Sequence, residues 1–162
     1  MRYLRHLFDL GAARRSFPAS TLDAIQHAIQ ASEHKHLGEI VFAVEGSLGL
    51  AHLWRGRSAR DRAREVFSLL RVWNTERNTG VLVYVLLAER AIEIVADRGI
   101  TARVAQADWD DACALMQERF AAGSYEQGAI SGVEAISAIL VHHFPATHDD
   151  NRDELSDRPV LL

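Results

Sequence analysis

Apolar residues follow two different rhythms along the chain. Leu22, Ile25 and Ile29 lie about one helical turn apart, so their spacing predicts a helix that ends near His36, with Gly38 just beyond. Ser20, with Asp23 three residues later, predicts a capping pair at its start. From Glu39 to Glu45 the pattern becomes an unbroken apolar run, which predicts a strand buried on both faces and broken by Gly46 and Gly49. A second helix is predicted from near Ser58, with Asp61 at the capping distance and a stripe of Ala59, Ala63, Val66, Phe67 and Leu70. Gly80 to Leu87 is the strongest strand pattern in the chain. Ala88-Glu89-Arg90 reads as a short turn, and Ala91 to Ala96 as the next strand, so the two form an antiparallel hairpin. Trp109, Ala112, Cys113, Met116 and Phe120 mark a third long helix. Ile130, Val133, Ser137, Leu140 and Phe144 mark a fourth, with Gly123 between them.

The resulting order is helix, strand, helix, strand, strand, helix, helix. The strand-helix-strand unit is expected to be a right-handed parallel crossover, giving an α/β fold in which a small mixed sheet carries helices on its faces. No repeat or linker divides the chain. Residues 1–16 read as an N-terminal segment, residues 17–145 as one domain and residues 146–162 as an acidic tail.

Composition narrows the classes. A chain of 162 residues, nearly half apolar and a quarter charged, is long enough to bury a core. A formal net charge of -4 argues against nucleic acid as the main partner. Cys113 is the single cysteine, so no internal disulfide forms and nothing indicates an oxidising compartment. The first residues lack the apolar core and cleavage site of a secretory signal, and no apolar run reaches the roughly 18 residues of a membrane span. The expected location is therefore the cytoplasm.

Several residue patterns look like chemistry. Cys113 and Arg119 are separated by five residues, as in a cysteine phosphatase signature. The intervening residues favour helix and include no glycine, so Cys113 is expected to be a buried, unreactive core thiol. Asp108-Trp109-Asp110 lacks the preceding buried strand of an aspartyl nucleophile and reads as a helix start. Asp149 to Asp153 begins like an EF-hand loop, but Glu154 stands at the glycine position and Val160 at the final glutamate. Glu33, His34 and His36 do not make a complete ligand set, and adjacent His142 and His143 point in different directions on a helix. Arg55, Arg57, Arg60, Arg62 and Arg64 are expected to form a solvated face offset by Asp61 and Glu65. The chain contains no phosphate-binding lysine loop, dinucleotide fingerprint or serine elbow.

The segments Arg71 to Gly80, Val81 to Ala88 and Ile92 to Ile100 resemble the TPM domain family, whose members include thylakoid acid phosphatases, photosystem repair factors and a receptor modulator. The Gly38-Glu39-Ile40 strand start, the Trp109 helix and the Asn151 to Leu162 tail resemble its short soluble bacterial members. The resemblance runs from about Phe17 and implies an α/β/α sandwich. Many relatives carry a signal peptide and a membrane anchor; neither is read here, so their membrane roles are not carried over. Asn78-Thr79-Gly80 stands where relatives commonly have an acidic turn, and Asn74 where short relatives often have aspartate.

Topology supplies one candidate site. Asn74, Glu76 and Asn78 precede the central strand, Asp97 ends the antiparallel one, and Glu39 begins the parallel one. All five should reach the same edge of the sheet, and such oxygen ligands suit Ca2+ or Mg2+. Because no nucleophile, base and oxyanion constellation is legible, the expected function is a non-catalytic regulatory module that binds a protein partner, with weak divalent-cation binding at that edge. A weak metal-dependent phosphatase, implied by the resemblance alone, is the alternative. A purely structural role is the third class.

Overall fold

The computed structural model describes residues 11–49, 52, 55–146 and 154–162. In chain order the elements are α1 (Ala12–Ser16), α2 (Ala19–Glu33), β1 (Glu39–Glu45), α3 (Ala59–Leu69), β2 (Gly80–Leu86), a 3-10 turn (Leu87–Glu89), β3 (Ala91–Ala96), α4 (Arg98–Thr101), α5 (Gln106–Ala121), α6 (Tyr125–His143) and β4 (Val160–Leu161). The sheet order is β3-β2-β1-β4. β1 runs parallel to β2, with Ile40 opposite Val81, and β2 pairs antiparallel with β3, with Val81 opposite Ala96.

Both faces of the sheet are covered, which explains the unbroken apolar runs. Ile40, Phe42, Val44, Val81, Val83 and Val85 join Ile25 and Ile29 of α2, Met116 of α5 and Val133 of α6 in one core. The alternate residues, Val41, Ala43, Leu82 and Tyr84, pack with Ala59, Ala63 and Val66 of α3 in the other. The fold is thus a three-layer α/β/α sandwich, with α3 on one face and α2, α5 and α6 on the other.

Ser58 and Asp61 form the expected capping box. Ser58 accepts from the Asp61 amide, and the Asp61 carboxylate accepts from the Ser58 amide. The Ser20–Asp23 pair does not cap α2. That helix begins earlier, with Pro18 at the N-cap and no side-chain cap bond, and it ends at Glu33 rather than near His36. Proline has no amide hydrogen to leave unsatisfied, so it suits a helix entrance. The end of the acidic tail adds a fourth, edge strand: Val160 and Leu161 lie parallel to β1 opposite Ala43 and Val44. The EF-hand-like stretch Asp149 to Asp153 lies outside the described residues.

Candidate functional site

The sheet topology brings Glu39, Asn78 and Asp97 to one edge. The register aligns Glu39 with Gly80, and the Asp97 amide donates to the Gly80 carbonyl at 2.9 Å. Glu39 and Asp97 therefore flank Gly80 from opposite sides. A side chain at Gly80 would meet the Val72 carbonyl at 1.9 Å, so backbone occupies the space above that position. Local structure engages the remaining groups. Asn74 is exposed, and its amide donates to the Arg71 carbonyl in a turn. Asn78 has a positive φ of 55°, and its side-chain oxygen accepts from Arg98 Nε at 3.1 Å. Asp97 Oδ1 caps α4 by accepting from the Arg98 amide at 2.7 Å, while Oδ2 is buried with no hydrogen-bond partner. Glu76 is exposed, and its amide donates to the Glu154 carboxylate at 2.9 Å. Among the described residues, no three His, Cys, Asp or Glu side chains are grouped so as to hold a metal ion.

A different set of acids meets at this edge. Glu33 at the end of α2, Glu39 at the start of β1 and Asp157 in the tail are all buried. Glu33 accepts from the Ile40 amide at 3.3 Å and is hydrogen-bonded to Asp157. Glu39 accepts from the Leu155 amide at 3.4 Å. Burial, then the charges of Glu39 and Asp157, push the Glu33 carboxyl up to about 9, so it carries a proton at neutral pH. Asp157, only 8 % exposed, keeps Oδ1 buried and without a partner. Sequence spacing misses this cluster because Asp157 lies far along the chain from Glu33 and Glu39.

The end of α3 and the turn after it expose two large apolar side chains, Leu69 at 62 % and Trp73 at 51 %. Their sequence signal is an exclusion. Leu69 lies off the α3 stripe, and Trp73 sits in a run otherwise rich in Arg, Asn and Thr.

The opposite end of β1 holds a buried polar network. Glu45 accepts from Tyr84 Oη at 2.6 Å and from Arg62 Nε and Nη2 at 2.9 and 3.0 Å. Arg62 also pairs with Glu65 at 3.1 Å, and Glu65 meets His52 Nε2 at 3.1 Å. Burial and the Glu45 carboxylate both push the Tyr84 hydroxyl well above its usual range. The arginine group is thus not a uniformly solvated face. Arg62 is mostly buried on Glu45, and Arg60 bonds Glu93 and the Ile94 carbonyl. Helix periodicity explains the error, since positions 60 and 62 lean toward strands β3 and β1.

The remaining candidates take structural roles. Cys113 is half-buried against the core, and burial, then the charges of Glu93 and Asp110, push its thiol up to about 11. Cys113 and Arg119 lie within one continuous helix, so no phosphate-cradling loop joins them. Asp108 and Asp110 are exposed in the first turns of α5. His34 is exposed and His36 fully buried, so they do not converge. Burial pushes His36 down to about 4, although its Nδ1 accepts from the Gly38 amide. His142 and His143 stack edge to face with centroids 4.7 Å apart. No helix among the described residues is long and apolar enough to cross a membrane.

Comparison with known proteins places this geometry. No curated protein matches the chain. The BA42 protein of the psychrophilic bacterium Bizionia argentinensis is 30% identical and superposes with a TM-score of 0.79, over 90% of this chain and 95% of that one. The N-terminal domain of a protein from P. gingivalis, 17% identical, shares the fold with a TM-score of 0.64 over 80% of this chain and 81% of that one. The family model of the TPM domain matches residues 14–139. The chain belongs to the TPM domain family.

Proposed function

We propose that this TPM domain is a non-catalytic interaction module that docks a protein partner on the Leu69–Trp73 corner. The observation that carries the reading is the exposure of both Leu69 and Trp73, four residues apart across a turn held by backbone hydrogen bonds. Tryptophan buries a large area at a low entropy cost and is enriched among residues that dominate interface energies. Arg64 precedes the pair in sequence and Arg71 stands between its two members, so the matching partner surface is an apolar pocket with an acidic rim. The single cysteine supports a reducing compartment, the cytoplasm.

A photo-crosslinking residue placed at position 69, beside an intact Trp73, tests the reading. One defined partner should crosslink there and not from the exposed Val141, and Trp73→Ala should remove the adduct. Equal capture from both positions would contradict it. Chelator-sensitive turnover of an aryl phosphate would overturn the non-catalytic part.

A second reading, weak binding of Ca2+ or Mg2+ at the amino-terminal edge of the sheet, is favoured by Glu39 and Asp97, which flank Gly80 there, and by the buried Asp97 Oδ2, which has no hydrogen-bond partner. Thermal unfolding with millimolar Ca2+, Mg2+ or chelator, at two pH values, tests this. An unchanged midpoint throughout would remove the cation from the account.

A further inference from the structure

We propose that a cleft at the carboxyl end of β2 binds a small amphipathic monocarboxylate with an aromatic or branched apolar body. The cleft has a volume of about 460 Å3 and lies between the β2–β3 connection and the junction of α5 with α6. That size is typical of small-molecule sites, and carboxyl ends of parallel strands are where open α/β sheets bind ligands. It opens at the other end of β2 from the Leu69–Trp73 corner, so it is independent of the proposed partner surface.

The lining sets the ligand's chemistry. Leu87, Ile92 and Phe120 supply apolar walls. The rings of Phe120 and Tyr125 are 5.3 Å apart, offering aromatic surface to a flat or branched group. Gln117 and Tyr125 bring polar ends. Among the described residues lining the cleft, Arg90 is the one that carries a charge. A single guanidinium fork matches one carboxylate, so the ligand carries one negative charge.

Arg90 is also held in an unusual backbone state. Its φ is 53°, a conformation that costs a side-chain-bearing residue energy and that glycine would adopt freely. The 3-10 turn Leu87–Glu89 fixes it there through the Arg90 amide, which donates to the Leu87 carbonyl at 3.0 Å. A charged side chain is thus presented at the cleft from a position where its backbone is strained, a combination often found at binding sites. On the far side Gly123, with φ 79°, turns the chain from α5 into α6, and a Cβ added there would meet nothing within 4 Å.

Amide chemical-shift titration of the full chain with 3-phenylpropionate tests the proposal. Neutral 3-phenylpropionamide and acetate separate the contributions of charge and apolar body. Saturable shifts are expected at Arg90, Gly123 and Tyr125 with the carboxylate, and weaker binding with either control. Arg90→Gln should weaken binding about tenfold, the scale of one lost charge-assisted contact. Ala121→Trp, at an exposed position in the last turn of α5, should fill the cleft and abolish binding while the melting temperature holds. Absence of saturable shifts, shifts confined to another surface, or equal binding by Arg90→Gln would overturn the proposal.

Discussion

Glu33 holds its proton because burial and two neighbouring carboxylates oppose its charge. Its folded value of about 9 lies above the ordinary 4.5, so between these limits the folded chain binds a proton that the unfolded chain releases. Stability from this group is therefore present at low pH and lost as pH rises, by up to about 1.4 kcal/mol per pH unit. His36 acts in the opposite sense. Its folded value of about 4 lies below 6.5, so its contribution is lost as pH falls through that window. The two offset each other between 4.5 and 6.5, and Glu33 alone acts from 6.5 to 9. Urea midpoints should fall across that upper window in the wild type and stay nearly level in Glu33→Gln. Parallel slopes would show that Glu33 is not the titrating group. Arg62 permits a second residue-level test. Removing it leaves the buried Glu45 carboxylate with the Tyr84 hydroxyl but no countercharge from Arg62, so Arg62→Ala should cost about 3–5 kcal/mol in urea unfolding. Adding Glu45→Gln to that variant should recover part of the loss; no recovery would mean that lost packing, not stranded charge, sets the cost. At this scale the sequence makes local pairs legible. The Ser58–Asp61 box is readable because its partners are three residues apart. Glu33 with Asp157 is not readable, because only the folded tail brings them together.

Elements were legible in proportion to their length. The apolar runs of β1 and β2 and the periodic stripes of α3, α5 and α6 state their own secondary structure. The short helices α1 and α4 span less than two turns, too few for a period to show, and two-residue β4 exists through its pairing with β1. Close approaches between elements are a further hidden layer. At Gly80 a Cβ would meet the Val72 backbone carbonyl at 1.9 Å, and backbone there cannot rotate away. At Gly132 it would meet Met116 Sδ at 2.3 Å, the far part of a flexible side chain. Gly80→Ala should therefore cost about 3 kcal/mol or more, and Gly132→Ala about 1–2 kcal/mol. Thermal melts of the two variants check the ranking, and a reversed order would show that the turn over Gly80 yields more easily than the α5–α6 contact.

For the molecule as a whole, the family and the sandwich architecture were readable from the Arg71 to Ile100 segment and the order of elements. The docking corner was not, because periodicity identifies what a helix buries and says little about what a turn displays. Leu69 and Trp73 expose apolar surface, so truncating them should leave folding stability within about 0.5 kcal/mol while weakening association. The most direct measurement is a titration of the purified crosslinked partner against wild type, Trp73→Ala and, as a control, Val141→Ala. The account predicts that Trp73→Ala weakens binding by at least about thirtyfold, the scale of a 2 kcal/mol interface residue, and that Val141→Ala leaves it unchanged. Equal dissociation constants for wild type and Trp73→Ala would contradict it.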